Sequence, residues 1–319
     1  MSVMLEVEDT RRENEPWWTS LVRCPLCRHR ILCQSQKGQL SCVECDQKFR
    51  TDGNVITWIC DTIPPASNST RRGRFARLLF DPLATPLLPF RYLTRFRLEK
   101  FYNRTLSDRT LAEKWASHYL SGIELSSDST VLDFGCGRGR NIGLLTQIGC
   151  RVVGQDIAAN PWWQRLPRSG FQILSNTMQL PWANAAFSMV LDTMVIHYLS
   201  PAQLNEHINE VARVLRPGGV WLLLEANKRA AGAAVFQRDL KNLHEVGFVQ
   251  QICHGAGLDT IDLTYEGFYA PIFPQMVNFL RKQCSPRPLD LSDFDSSLGA
   301  RLSPERRGLW LLRLRKRHH

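Results

Sequence analysis

Two cysteine pairs and one glycine-rich turn are the places in this 319-residue sequence where residue type and spacing point to chemistry. The pairs are Cys24-Pro-Leu-Cys27 and Cys42-Val-Glu-Cys45, with fourteen residues between them. A CxxC turn puts two thiolates on one side of a tight knuckle. Two such knuckles supply the four corners of a tetrahedral zinc site. With four protein ligands no coordination position stays open, so the expected role is structural. A module this short buries little apolar surface, so metal binding would supply its folding free energy directly. Cys33, Cys60, Cys136, Cys150, Cys253 and Cys284 have no partner at such spacing and read as buried thiols.

The glycine-rich segment is VLDFGCGRGRN, residues 131–141. An apolar strand ends at Asp133, Gly135, Gly137 and Gly139 alternate, and a helix begins. Glycine tolerates positive φ and lets a ligand approach the backbone without a Cβ in the way. The helix N-terminus adds oriented N–H groups. The next strand ends in Asp156, twenty-one residues after Gly135, where a carboxylate can accept both hydroxyls of a ribose.

These residues need a sheet to hold them. Short apolar runs alternate with helical segments from about Leu111 onward, the pattern of a parallel α/β sheet. The expected strands are residues 131–135, 151–157, 171–176, 187–194 and 220–225, one after the helix LKNLHEVGF, and 308–316. Leu204, Ile208, Val211 and Leu215 recur at helical spacing after Pro201. Pro217-Gly218-Gly219 is expected to end that helix. The chain divides into a polar arm (1–20), a zinc-ribbon module (21–60), a basic and apolar linker with a helical segment (61–110) and the α/β domain (111–319). Residues 266–307 form an insertion suited to a substrate lid.

The glycine set resembles the class I, Rossmann-like methyltransferases that use S-adenosylmethionine, over about residues 128–250. VLRPGGVWLLLE matches that family's helix-turn-strand. The resemblance implies a seven-stranded sheet. Gly135, Gly137 and Gly139 would then face the methionine and sugar, Asp133 the ammonium, and Asp156 the ribose. Asn176 and Thr177 would meet the adenine edge. The family usually has Asp where Asn176 stands, and Phe-Asp where this chain has Phe187-Ser188. The N-terminal stretch resembles the zinc ribbons of the small tRNA-methyltransferase activators. Similar ribbons precede rRNA methyltransferase domains, with His at the last ligand position in place of Cys45.

Methyl transfer needs a base only when the acceptor must lose a proton. Asp192, His197 and Glu225 are the candidates at strand ends expected to face the cofactor, each with a structural role as the alternative. Strand four lacks the Asn/Asp-Pro-Pro-aromatic loop of base-amine methylation and the Pro-Cys of pyrimidine C5 methylation. Those absences favour a small-molecule acceptor, lipid-like or glycan. The net charge of +10 is concentrated: residues 71–104 hold nine Arg or Lys against two acids, and residues 301–319 seven against one. That concentration supports RNA as a second acceptor class, peripheral membrane contact as a third use, and a solvated linker as the plain alternative. A non-catalytic, cofactor-binding regulatory protein is the reading from another class. The chain opens on an acidic, polar stretch without an apolar signal segment, so a reducing cytoplasm is expected.

Overall fold

A computed structural model describes residues 17–34, 39–52, 55–58, 116–137, 139–157, 163, 170–175, 179–230, 242–267, 297 and 299–318. The strands are β1 (Ile31–Gln34), β2 (Gln39–Cys42), β3 (Lys48–Asp52), β4 (Val55–Trp58), β5 (Thr130–Phe134), β6 (Arg151–Asp156), β7 (Gly170–Ser175), β8 (Phe187–Thr193), β9 (Leu215–Ala226), β10 (Leu258–Glu266) and β11 (Leu309–Lys316). The helices that matter here are α1 (Arg140–Gln147), α2 (Pro201–Val214) and α3 (Val246–Gly255). Among the described residues no helix is long and apolar enough to cross a membrane.

Seven strands, in the order β7-β6-β5-β8-β9-β11-β10, make the α/β sheet. All run parallel except β11, which is antiparallel to both neighbours. Successive side chains along β5, β6, β8 and β9 enter opposite faces, and both faces are covered. Val131, Val152, Met189, Leu191 and Leu222 pack with Ile142 and Leu145 of α1. Leu132, Val153, Val190, Trp221 and Leu223 pack with Leu204, Ile208 and Val211 of α2. Burial on both sides explains why these strands read as continuous apolar runs. Strand order reverses at β5, with β6 on one side and β8 on the other. In open parallel sheets the ligand crevice lies at such a point, beyond the carboxyl ends of the strands.

The expected seven-stranded sheet is extended to eleven. Strands β1 to β4 form an antiparallel meander, and β4 pairs in parallel with β7 at the sheet edge. A second clasp lies beside it: Arg23 N donates to the Pro181 carbonyl at 2.9 Å, and Ala183 N to the Leu21 carbonyl at 2.7 Å. Val22, Cys24, Ile31, Leu40, Cys42 and Phe49 belong to the same buried cluster as β8, β9 and α2. The ribbon therefore shares a core, which corrects the expectation that metal alone must hold it. Of the expected polar arm, residues 1–16 lie outside the described residues. Trp17–Ser20 form a 3-10 turn in which Thr19 is buried and both tryptophans pack on the core.

Two boundaries move. The helix expected over LKNLHEVGF lies instead at α3, because the segment before it is docked in a non-helical form. Asn242 N donates to the His197 carbonyl, and buried His244 reaches the carbonyls of Ile196 and Leu199. Helix α2 stops at Val214, three residues before Pro217. Pro217-Gly218-Gly219 falls inside β9, where a bulge sets Leu215 to Val220 against only Phe187 to Met189. Gly218 has φ of 73°, and a Cβ on Gly219 would sit 2.8 Å from the Arg216 carbonyl. Glycine is needed there for turn and space alike.

Candidate functional site

The glycine turn leaves β5 at the switch point. Gly135, Gly137 and Gly139 all have positive φ, at 65°, 53° and 82°. They serve different ends. A Cβ on Gly135 would lie 2.5 Å from Val195 Cγ2, so this glycine lets the chain after β8 close on the turn. Among the described residues, a Cβ on Gly137 would meet no atom nearer than the Gly135 carbonyl at 4.0 Å. That side is open space, as a ligand crevice requires. Met194, at φ of 60°, is a non-glycine residue in the left-handed region and turns the chain from β8 into Val195.

Below the turn, Asp133 is fully buried. Asn141, in the first turn of α1, donates from Nδ2 to Asp133 Oδ1 at 3.2 Å and to Thr193 Oγ1 at 2.8 Å. Asp133 Oδ2 has no hydrogen-bond partner among the described residues. Burial pushes the Asp133 carboxyl up to about 7, against the downward pull of the Asn141 bond and Arg140. The carboxylates of Asp192 and Asp156 add to the upward push. An orphaned oxygen on a buried acid is expensive unless something else completes it, and a cationic ligand group would do so. Asp156 ends β6, and its Oδ2 accepts the N–H of Gly137 at 2.7 Å. Trp163, almost fully buried, donates its indole N–H to the Gly137 carbonyl at 2.8 Å. The end of β6 and Trp163 thus both hold Gly137.

The three candidate bases occupy different surroundings. Asp192 is buried on the α2 side of the sheet. Its Oδ2 accepts from His207 Nε2 and Trp221 Nε1, each at 2.9 Å. Along β8 it shares a face with Val190, and that face meets α2. Glu225 is also fully buried, and its oxygens are engaged by the backbone N–H groups of His197 and Ala226. It also meets His197 Nδ1, at 3.0 Å from both carboxylate oxygens. His197 is 2% exposed, and its Nε2 has no partner. Buried His207 is arranged likewise, with Nε2 held by Asp192, and among the described residues neither His207 Nδ1 nor Asp192 Oδ1 has a partner.

The four cysteines converge. All four sulfurs lie within 4.8 Å of one another, with Cys27–Cys42 at 3.3 Å and Cys24–Cys45 and Cys27–Cys45 at 3.6 Å. A tetrahedron with zinc–sulfur bonds of about 2.3 Å has edges of about 3.8 Å, whereas a disulfide would be about 2.0 Å. The donor set fits a zinc ion. Each knuckle closes through a left-handed residue after its second cysteine, Arg28 at φ of 66° and Asp46 at 53°.

Residues 132–223 match the model of a family described as a methyltransferase domain. That stretch of the chain is therefore similar to a methyltransferase domain, and the curated relatives it matches include several named as methyltransferases. Three curated relatives illustrate the match. An uncharacterized methyltransferase of Synechocystis sp. is 33% identical over 115 residues, 34% of this chain and 52% of the relative. The tRNA (carboxymethyluridine(34)-5-O)-methyltransferase of Arabidopsis thaliana is 32% identical over 112 residues, 34% of this chain and 27% of that enzyme. The demethylmenaquinone methyltransferase of Symbiobacterium thermophilum is 28% identical over 131 residues, 36% of this chain and 50% of that enzyme. The chain thus spans about half the length of these relatives or less.

Within the matched residues 132–223, the structure brings Asp133, Gly135, Gly137, Gly139 and Asp156 together around one turn. Asn176 and Thr177 lie outside the described residues, as do the basic stretch 61–110 and most of the 266–307 insertion. Sequence reasoning missed Asn141, Thr193 and Trp163. Asn141 had a signal: it is a polar residue at the start of a helix whose following positions, Ile142, Leu144 and Leu145, are buried and apolar. Trp163 had none, because its partner is a backbone carbonyl.

Proposed function

We propose that the protein transfers the methyl group of S-adenosylmethionine to a small-molecule acceptor, lipid-like or glycan, and that a structural zinc ion joins Cys24, Cys27, Cys42 and Cys45. The observation that carries the first part is the partnerless oxygen of buried Asp133 beneath a three-glycine turn that opens to space at Gly137. When bound, the cofactor supplies an electrophilic sulfonium methyl for in-line displacement. The chain's own residues hold and align it. Asp133 meets the ammonium, Asp156 the ribose hydroxyls, and the N–H groups at the start of α1 the methionine carboxylate. Asn176 and Thr177 are assigned to the adenine edge. Alignment accounts for much of the acceleration in such a displacement.

Where the acceptor loses a proton, His197 Nε2 takes it. Glu225 fixes Nδ1 as the N–H side, which leaves the lone pair on Nε2. Glu225 is then a positioning residue, and Asp192 a structural one. Replacing His197 with Gln should lower kcat at every pH with little change in cofactor KM if this assignment holds. The acceptor class is tested by incubating the protein and radiolabelled S-adenosylmethionine with lipid, glycan and RNA fractions. Label in a lipid or glycan fraction is the expected result.

RNA is the second reading, favoured by the Arabidopsis thaliana relative named for a tRNA uridine and by the basic stretch at 71–104. On that reading, changing Arg71, Arg72, Arg74 and Arg77 to Glu abolishes an RNA complex whose affinity falls steeply with salt. Salt-insensitive, weak RNA binding that survives the four reversals supports the small-molecule acceptor.

A further inference from the structure

We propose that Trp182 is a positioning residue for the ribose site, acting through Gln155 on the glycine turn while the ribbon clamps it from behind. The inference rests on the cofactor reading above. Trp182 lies between β7 and β8 and is fully buried. Its backbone forms an antiparallel bridge with Val22 of the ribbon, and its carbonyl accepts from Arg213 at 2.7 Å. The ring stands edge-on to Phe187, with centroids 5.4 Å apart. All of this would serve a phenylalanine as well. The indole N–H is different: it donates to Gln155 Oε1 at 2.9 Å, and both partners are buried.

Gln155 is where the cofactor turn is pinned. Its carbonyl accepts the N–H of Cys136, between Gly135 and Gly137, at 3.0 Å. The next residue, Asp156, accepts the N–H of Gly137 at 2.7 Å. Two adjacent residues of β6 thus hold two residues of the turn, and Trp182 holds the first of them from the opposite face of the sheet. A buried glutamine without its partner would have to turn or find water, and either would move the strand end that carries Asp156. The ribbon matters because the segment carrying Trp182 is zipped to residues 21–23 and braced by Arg213, which also reaches Leu180 O.

The test is calorimetric titration of S-adenosylhomocysteine into the full chain and its variants. Trp182→Phe keeps the ring and removes the donor, and should weaken binding by about fivefold to tenfold with metal content unchanged. Gln155→Met removes the same bond from the other side and should reproduce the loss. The double variant should bind within about twofold of either single one, because both changes break one interaction. A 2′,3′-dideoxyribose analogue of the ligand should bind wild type and Trp182→Phe alike, an outcome that mere loosening of the fold would not give. If wild type binds no S-adenosylhomocysteine, the cofactor reading falls and this inference with it. If wild type binds and either single variant stays within about twofold of it, or the two losses multiply, the role of Trp182 alone is overturned.

Discussion

Asp133 and Asp156 are both carboxylates at the ends of neighbouring strands, yet they are set for different work. Asp133 is buried and raised to about 7 by that burial, with Arg140 opposing and Asp192 and Asp156 reinforcing the shift. In the ligand-free chain a raised carboxyl favours the folded state most below the ordinary carboxylate range, and that advantage is lost as pH rises through about 7. Cofactor affinity should run the other way. An ammonium pairs with the ionised form, so S-adenosylhomocysteine should bind more tightly as pH climbs through about 7, and binding near pH 6 should release a proton. Calorimetry in buffers of different ionisation enthalpy measures that proton. Asp133→Asn should abolish both the proton release and the pH step, and a step of unchanged size in that variant would assign it elsewhere. For Asp156→Ala, loss of a charged acceptor to the ribose is worth about 1.5–3 kcal/mol, so affinity should fall about 10- to 100-fold. The two acids were legible in the sequence because each ends an apolar run. The partnerless oxygen of Asp133 was not, since it depends on how many bonds Asn141 can reach.

Among the elements, α2 was read well and its end was not. Ser200 and Gln203 form a reciprocal capping box ahead of Pro201, with Ser200 N to Gln203 Oε1 at 3.0 Å and Gln203 N to Ser200 Oγ at 3.4 Å. Ser200→Ala should cost about 1 kcal/mol in a denaturant titration and leave cofactor affinity alone. The helix end went astray because Pro217-Gly218-Gly219 is as good a signal for a bulge as for a turn, and only pairing with β8 decides between them. The helix assigned to LKNLHEVGF shows the same limit: His244 finds two backbone carbonyls in another element, and that docking overrides local propensity. The ribbon is the largest difference. Its four clustered cysteines could be named from spacing, but nothing in a linear pattern says that β4 pairs with β7. The purified chain should contain about one zinc ion, and Cys24→Ser with Cys42→Ser should remove it. Because Cys24 and Cys42 sit in the core shared with Trp182 and Phe187, that double variant should also speed hydrogen exchange in β6 and β7. Exchange faster in β1 to β4 alone would show two independent units.

Across the whole molecule, one sheet carries both chemistries suggested by the sequence. Its switch point at β5 lies where we propose that the cofactor binds, and its β7 edge pairs with β4. A parallel sheet was implicit in the alternation of apolar runs and helices, since parallel strands need such crossovers, but the order of its strands was not. Nor was the fusion to eleven strands. The most direct measurement is the titration of S-adenosylhomocysteine into wild type and Gly137→Val. A Cβ at Gly137 meets no atom of the described residues closer than 4.0 Å, so a side chain there should extend into the space assigned to the ligand, at the cost of some backbone strain at φ of 53°. Wild type should bind one ligand per chain, and Gly137→Val should show no binding while its circular dichroism and zinc content stay as in wild type. Equal affinity in the two proteins would contradict a cofactor site at this turn.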